Sequence, residues 1–267
     1  MCELFAMSSS HPATVTYSMR EFARHGGLTG DHADGWGVAY LEGQDVNVFR
    51  DTDAAADSPY LRLVSDRKVR SEIVIAHIRR ATQGEVALRN TQPFARELGG
   101  RVHLFAHNGD LVGIDRRPEL QLGGHLAIGE TDSERAFCVL LHRLSSVWSE
   151  PEVTPELALR RRIVADFAAD VRGLGPANFI YTDGDAVFLH GHSRKDCADG
   201  AIRPPGLHML CRSCTTGSDS IQFPGLTLAT VTQRVVLAAS VPLSDEPWIA
   251  LGEGELVVLR RGVVVPP

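Results

Sequence analysis

Met1-Cys2-Glu3-Leu4-Phe5-Ala6-Met7 opens the chain, and the reading of this stretch decides what the remainder must be. Cysteine at the second position is small enough for an aminopeptidase to remove Met1, which would leave a thiol and a free α-amine on one residue. A free α-amine has a reference pKa of about 8, so near neutral pH an unprotonated fraction can take the thiol proton, directly or through a water. Leu4, Phe5 and Met7 read as the start of a buried strand that would fix the reactive end inside a fold. The alternative is a small apolar residue at a frayed terminus, and only the rest of the chain can displace it.

The 267 residues suffice for a sizeable core, as one large domain or two ordinary ones. A net charge of −6, a pI near 6.0 and scattered arginines argue against nucleic acid as a partner. No apolar run reaches about 18 residues, so no segment is expected to span a membrane. The acidic Glu3, with no basic run before the apolar stretch, does not suit a secretory signal. Five cysteines at dispersed positions fit a reducing cytoplasm better than a disulfide framework.

Tyr17 to His25 reads as a short helix stopped by Gly26-Gly27. Trp36 to Leu41 and Asp45 to Phe49 read as a hairpin around Glu42-Gly43, and Ser58 to Asp66 as a helix with Pro59 in its first turn. Glu72 to His77 and Arg101 to His107 are β-rich runs that each end where polar residues begin. Thr131 to Val147 carries Ala136, Phe137, Leu140, Leu141 and Leu144 at helical spacing, with Thr131 and Glu134 in the pattern of a capping box. A second long helix is expected from Pro155 to Arg172. Strands follow at Asn178 to Thr182 and Ala186 to His190 around Asp183-Gly184, then at Thr227 to Val231, Val235 to Ala239, Glu255 to Leu259 and Gly262 to Val265. Strands dominate both ends and helices sit between, which predicts an α+β fold with sheet layers packed face to face and helices outside. No composition break marks a linker, so residues 2–267 are expected to form one domain.

Four polar clusters stand out: His32-Ala33-Asp34-Gly35-Trp36-Gly37, His77-Ile78-Arg79-Arg80-Ala81-Thr82-Gln83-Gly84, His107-Asn108-Gly109 and Thr131-Asp132-Ser133-Glu134. Each alone is weak; Asn-Gly after a strand is usually just a turn. Together, in this order and behind Cys2, they resemble the class II glutamine amidotransferases, whose glutaminase unit belongs to the N-terminal nucleophile hydrolases. The resemblance runs over nearly the whole chain and is closest to small stand-alone members of the YafJ type. It implies a four-layer αββα sandwich, no cofactor and no metal.

The resemblance also implies roles. Cys2 would attack the side-chain amide of glutamine, giving a γ-glutamyl thioester and ammonia, and water would then release glutamate. Asn108, through its side-chain amide, and Gly109, through its backbone N–H, match the oxyanion hole. Arg79 matches the two-pronged donor that grips the α-carboxylate. Asp132 matches the carboxylate that holds the α-ammonium, although Asp in a first helical turn is equally explained by the helix dipole. Thr82 would touch the substrate, and Trp36 and Gly37 would shape the pocket wall, with ordinary packing an equal reading for the tryptophan. The chain departs from the family at Asn90-Thr91-Gln92-Pro93-Phe94, where relatives carry histidine in place of Gln92, and at Gln83, also histidine in many relatives. Neither change touches the nucleophile, and both bear on the acceptor side of the pocket.

Because the glutaminase-like unit takes up the whole chain, an ammonia acceptor would have to be bound by a partner protein or be absent. A hydrolase of γ-glutamyl amides in larger metabolites keeps the same mechanism, and a glutamine-binding protein without chemistry is the reading from another class. A papain-like protease fits worse, since its cysteine opens a helix. Separately, His190, His192, Cys197, His208, Cys211 and Cys214 raise a zinc site. A second Cys-x-x-Cys is missing, so reduced and structurally ordinary residues are expected. Cys138, inside an apolar stripe, is expected in the core.

Overall fold

The computed structural model describes residues 2–150, 153–196, 199–213 and 233–267, together with the backbone of 221–223 and 226–228. The nucleophile's strand, β1 (Glu3–Ala13), lies inside a seven-stranded antiparallel sheet. On one side it pairs with β4 (Ser71–Ile78), then β2 (Trp36–Glu42) and β3 (Asp45–Asp51). On the other lie the strands Arg234–Ala239, His208–Ser213 and Ile249–Ala250. A six-stranded sheet stacks on it, in the order Val263–Val265, Leu256–Arg260, β8 (Val187–His190), β7 (Ala177–Thr182), β6 (Arg101–Gly109) and β5 (Phe94–Leu98).

The side-chain period of two on β1 sorts its residues into two cores. Phe5 and Met7 pack outward with Phe22 of α1 (Thr16–Arg24) and Leu61 of α2 (Pro59–Asp66). Leu4 and Ala6 face inward onto Leu104, Ala106 and Ile180 of the second sheet. A strand covered on both faces reads as a continuous apolar run, as this one does. On the far side of the second sheet, Phe105 and Phe179 meet Phe137 of α3 (Asp132–Leu144) and Phe167 of α4 (Leu157–Arg172). The layers are therefore helix, sheet, sheet, helix, the expected αββα sandwich of the N-terminal nucleophile hydrolase type.

Local signals located most elements to within a few residues. Ser58 caps α2, its hydroxyl accepting from Leu61 N, and Pro59 stands in the first turn. The capping box of α3 is half formed. Thr131 Oγ1 accepts from Glu134 N at 3.2 Å, but the Glu134 carboxylate turns to Ile128 N and Gly129 N and pairs with Arg96. β5 and the strand His208–Ser213 had no clear signal in the sequence. Of the strand expected over Thr227 to Val231, Leu226–Leu228 forms and 229–231 lie outside the described residues.

His190 Nδ1 donates to Ala177 O at 2.6 Å, and its Nε2 faces Arg172 Nη1 at 3.3 Å. His208 Nδ1 meets Ser240 O at 3.2 Å, while Cys211 is exposed on its strand. Cys197 and Cys214 lie outside the described residues. No helix among the described residues is long and apolar enough to cross a membrane.

Candidate active site

The site begins where β1 and β4 run out together. Leu4 pairs with His77 and Glu3 with Ile78, so antiparallel pairing carried one step further sets Cys2 beside Arg79 and Arg80. Cys2 Sγ accepts from Arg80 N at 3.3 Å. Burial pushes this thiol above its ordinary value and the Asp132 charge adds to that, whereas the Arg80 hydrogen bond and the Arg79 charge pull it down. Glu3 anchors the next position. It is buried, its carboxylate is held below the usual range by His25 at 2.6 Å, and Arg194 stands 3.7 Å away.

The segment after β4 folds back as a loop. Arg79 N donates to Gly35 O at 2.8 Å, Asp34 N donates to Arg79 O at 3.1 Å, and Ala81 N donates to Asp34 Oδ2 at 2.8 Å. The Asp-Gly-Trp-Gly stretch thus stitches the loop in place, and Asp34 is a supporting residue that sequence reading passed over. The Arg79 side chain is buried, with its guanidinium donating to the carbonyls of Gln83, Gly84 and Glu85 at 3.0, 3.2 and 3.0 Å. Gln83 Nε2 donates to Asp110 Oδ1 at 2.6 Å, tying the loop to the end of β6.

β6 brings the second half of the site. Leu104 and Ala106 face the first sheet, so Asn108 faces it too. Asn108 is fully buried and neither Nδ2 nor Oδ1 has a hydrogen-bond partner. A buried carboxamide without partners is costly unless something it is meant to bind is absent. His77 reaches the same layer from β4; burial among apolar neighbours drives its pKa down to about 3, and its ring faces the His107 main chain. Gly109 is required by space: a Cβ there would stand 1.7 Å from Pro176 O.

Asp132, at the start of α3, accepts from Leu111 N and Ser133 N, both at 2.7 Å. Cys2, Arg79, Thr82, Gly109 and Asp132 line one cleft, together with Gln92, His107 and Ser133. Its free volume is about 20 Å³, room for roughly one water. An adjoining cavity of about 410 Å³ shares Gln83, Thr131 and Asp132 and is walled by Asp115 and Arg135.

Of the two readings of Trp36 the structure shows packing: its ring is buried in the outer core with Val38 and Tyr40, 5.6 Å from the Tyr60 ring. Gly37, its neighbour, faces the other way, and a Cβ there would meet Gln92 O at 2.2 Å. It makes room for the backbone that carries Gln92. Gln92 in turn is a strand clamp, since its Oε1 accepts from His107 N at 2.6 Å and its Nε2 donates to His107 O at 3.2 Å.

The family model for class II glutamine amidotransferases matches residues 1–266. The putative glutamine amidotransferase YafJ of Escherichia coli is 36% identical, over 99% of this chain and all of that protein. The probable glutamine amidotransferase DUG3 of Saccharomyces cerevisiae is 25% identical over 88% of this chain and 71% of that protein. Among solved structures, a predicted glutamine amidotransferase from Pseudomonas aeruginosa superposes over the full length of both chains with a TM-score of 0.71 at 32% identity. The glutamine phosphoribosylpyrophosphate amidotransferase of B. subtilis matches in fold, with a TM-score of 0.57 at 15% identity over 48% of its length. With a family model spanning almost every residue and a bacterial relative alike from end to end, the αββα layers and the cysteine-headed strand have one source: the chain is an enzyme of the class II glutamine amidotransferase family.

Proposed function

We propose that the enzyme hydrolyses the side-chain amide of glutamine through a thioester on Cys2, with removal of Met1 freeing the Cys2 amine as base. The reading is supported by the convergence of Cys2, Arg79, Gly109 and Asp132 on one cleft, with the unpartnered Asn108 amide beside it. The thiol gives up its proton as the carbon–sulfur bond forms. The α-amine takes that proton and passes it to the departing nitrogen. The tetrahedral oxyanion is stabilised by Asn108 Nδ2 and Gly109 N–H. The carbon–nitrogen bond then breaks, ammonia departs, and water attacks the thioester to return the thiol and release glutamate.

Arg79 would grip the α-carboxylate, for which the carbonyls of 83–85 must first release its guanidinium, and Asp132 would hold the α-ammonium. Thr82 lines the same wall. Ammonia is then handed to a partner protein, or is the end product. With five dispersed cysteines to keep reduced, the cytoplasm is the compartment we infer.

A second reading keeps the same chemistry on a γ-glutamyl amide of a larger metabolite, whose glutamyl head Arg79 and Asp132 would hold in the same way. Ammonia release from glutamine by wild type and Cys2→Ala, with intact mass and a hydroxylamine trap for the thioester, tests the proposal. Wild type should lack Met1 and yield γ-glutamyl hydroxamate, and Cys2→Ala should do neither chemistry. Cys2→Ala activity within tenfold of wild type would overturn the mechanism. Release of glutamate and the free amine from γ-glutamyl amides, with none from glutamine, would select the second reading.

A further inference from the structure

Behind Asp132 stands a run of buried side chains that no step of the hydrolysis consumes. Ser133 Oγ donates to Asp132 Oδ1 at 3.2 Å, and the same oxygen meets His107 Nδ1 at 2.9 Å. An ionised carboxylate only accepts, so the single Ser133 proton is engaged there and His107 Nδ1 carries the hydrogen of the second bond. His107 is buried and burial lowers its pKa, with the Asp132 charge and the Pro176 carbonyl beside the ring pulling the other way. Nε2 stands 2.7 Å from where a Cβ on Gly109 would be. The peptide of His107 is fixed from the other side by both atoms of the Gln92 amide.

We propose that His107 and Ser133 are positioning residues that aim the Asp132 carboxylate at the α-ammonium of a glutamyl substrate and tie it to the oxyanion turn Asn108-Gly109. The proposal rests on the glutamyl reading of the cleft. His107 directly precedes Asn108 in β6, so one residue spans from the ammonium site to the oxyanion site. The helix dipole places negative charge at the start of α3, Leu111 N and Ser133 N hold the two carboxylate oxygens at 2.7 Å, and the Ser133 hydroxyl adds a side-chain hold on Oδ1 that links it to His107.

The test compares L-glutamine with 4-carbamoylbutanoate, the same molecule without its α-amine. Ser133→Ala should raise KM for glutamine about tenfold, the loss of one hydrogen bond to a charged group, with kcat within about twofold. It should lower kcat/KM for 4-carbamoylbutanoate by much less than for glutamine, and Ser133→Thr, which keeps the hydroxyl, should restore glutamine KM. His107→Phe should lower kcat for both substrates, as the oxyanion turn loses its hold. Equal losses on both substrates for Ser133→Ala, or an unchanged glutamine KM, would overturn the proposal. A readout independent of turnover is calorimetric binding of L-glutamate against glutarate to wild type and Ser133→Ala. If wild type fails to hydrolyse glutamine, the catalytic reading falls, while a glutamate-specific loss of about tenfold in Ser133→Ala still supports the positioning role. Binding of neither ligand by wild type refutes both.

Discussion

Acid should weaken this fold well before its carboxylates titrate, because three histidines are held neutral inside it. Burial pushes His77 down to about 3 and His103 and His190 to about 4, and all three are fully buried. In the unfolded chain each returns to a pKa near 6.5. Between pH 7 and pH 5 the unfolded state therefore gains a proton at each site and the native state does not, so stability falls as pH falls. Each histidine contributes a loss of roughly 2 kcal/mol over that window, and the three together roughly 6 kcal/mol. Against a total stability on the order of 5–15 kcal/mol, this is a large share. Glu3, whose folded pKa is lowered, works in the same direction at lower pH. At about 2–4 °C per kcal/mol for a chain of this size, calorimetry should find Tm lower by roughly 10–25 °C at pH 5 than at pH 7. His103 is bonded to Tyr181 Oη at 2.7 Å and Leu98 O at 3.1 Å. His103→Gln keeps a polar amide there but removes the titration, and should shrink the fall by about a third. A Tm that moves by less than about 3 °C between pH 7 and pH 5 would refute the reasoning.

Asn108→Ala should lower kcat by about 100-fold or more while leaving Tm unchanged or raised, because the amide has no partner to lose; kcat within tenfold of wild type would remove it from the oxyanion hole. In a variant that retains Met1, iodoacetamide alkylation of Cys2 should still be rising with pH at the ordinary thiol value of about 8.5, since burial raises this thiol; a plateau below that pH would contradict it. Arg160 on α4 is buried and binds Asp183 at 2.6 Å and Asp185 at 2.8 Å. Arg160→Met strands the fully buried Asp183 carboxylate, and chemical denaturation should show a loss of about 3–5 kcal/mol, part of which Asp183→Asn recovers in the double variant.

What could be read in the sequence was what is local. The cap and proline of α2, the hairpin turns and the stripe Ala136 to Leu144 each decide their element within a few residues, so their bounds came out nearly as they stand. β5 was hidden because Phe94–Leu98 carries Arg96 and Glu97 in its middle and owes its existence to β6, with Phe94 opposite Phe105. Trp36, left open between pocket wall and packing, had a deciding signal beside it: Trp36, Val38 and Tyr40 are bulky, Gly37 and Ala39 small. Alternation sends the large set to α1 and α2 and the small set to the inter-sheet layer. Period two, applied to the motif rather than to the strand alone, would have separated the two neighbours.

The candidate site divides along the same line. Cys2, Arg79 and Asp132 each announced a chemistry by residue type, whereas Gln92 stood out only as a departure bearing on the acceptor side of the pocket. The structure supplies the missing requirement. At that position a side chain must accept from His107 N and donate to His107 O together, which a carboxamide, with oxygen and nitrogen on one carbon, does in a single orientation. Gln92 thereby holds β6 by the main chain of His107, the residue that precedes Asn108 and Gly109.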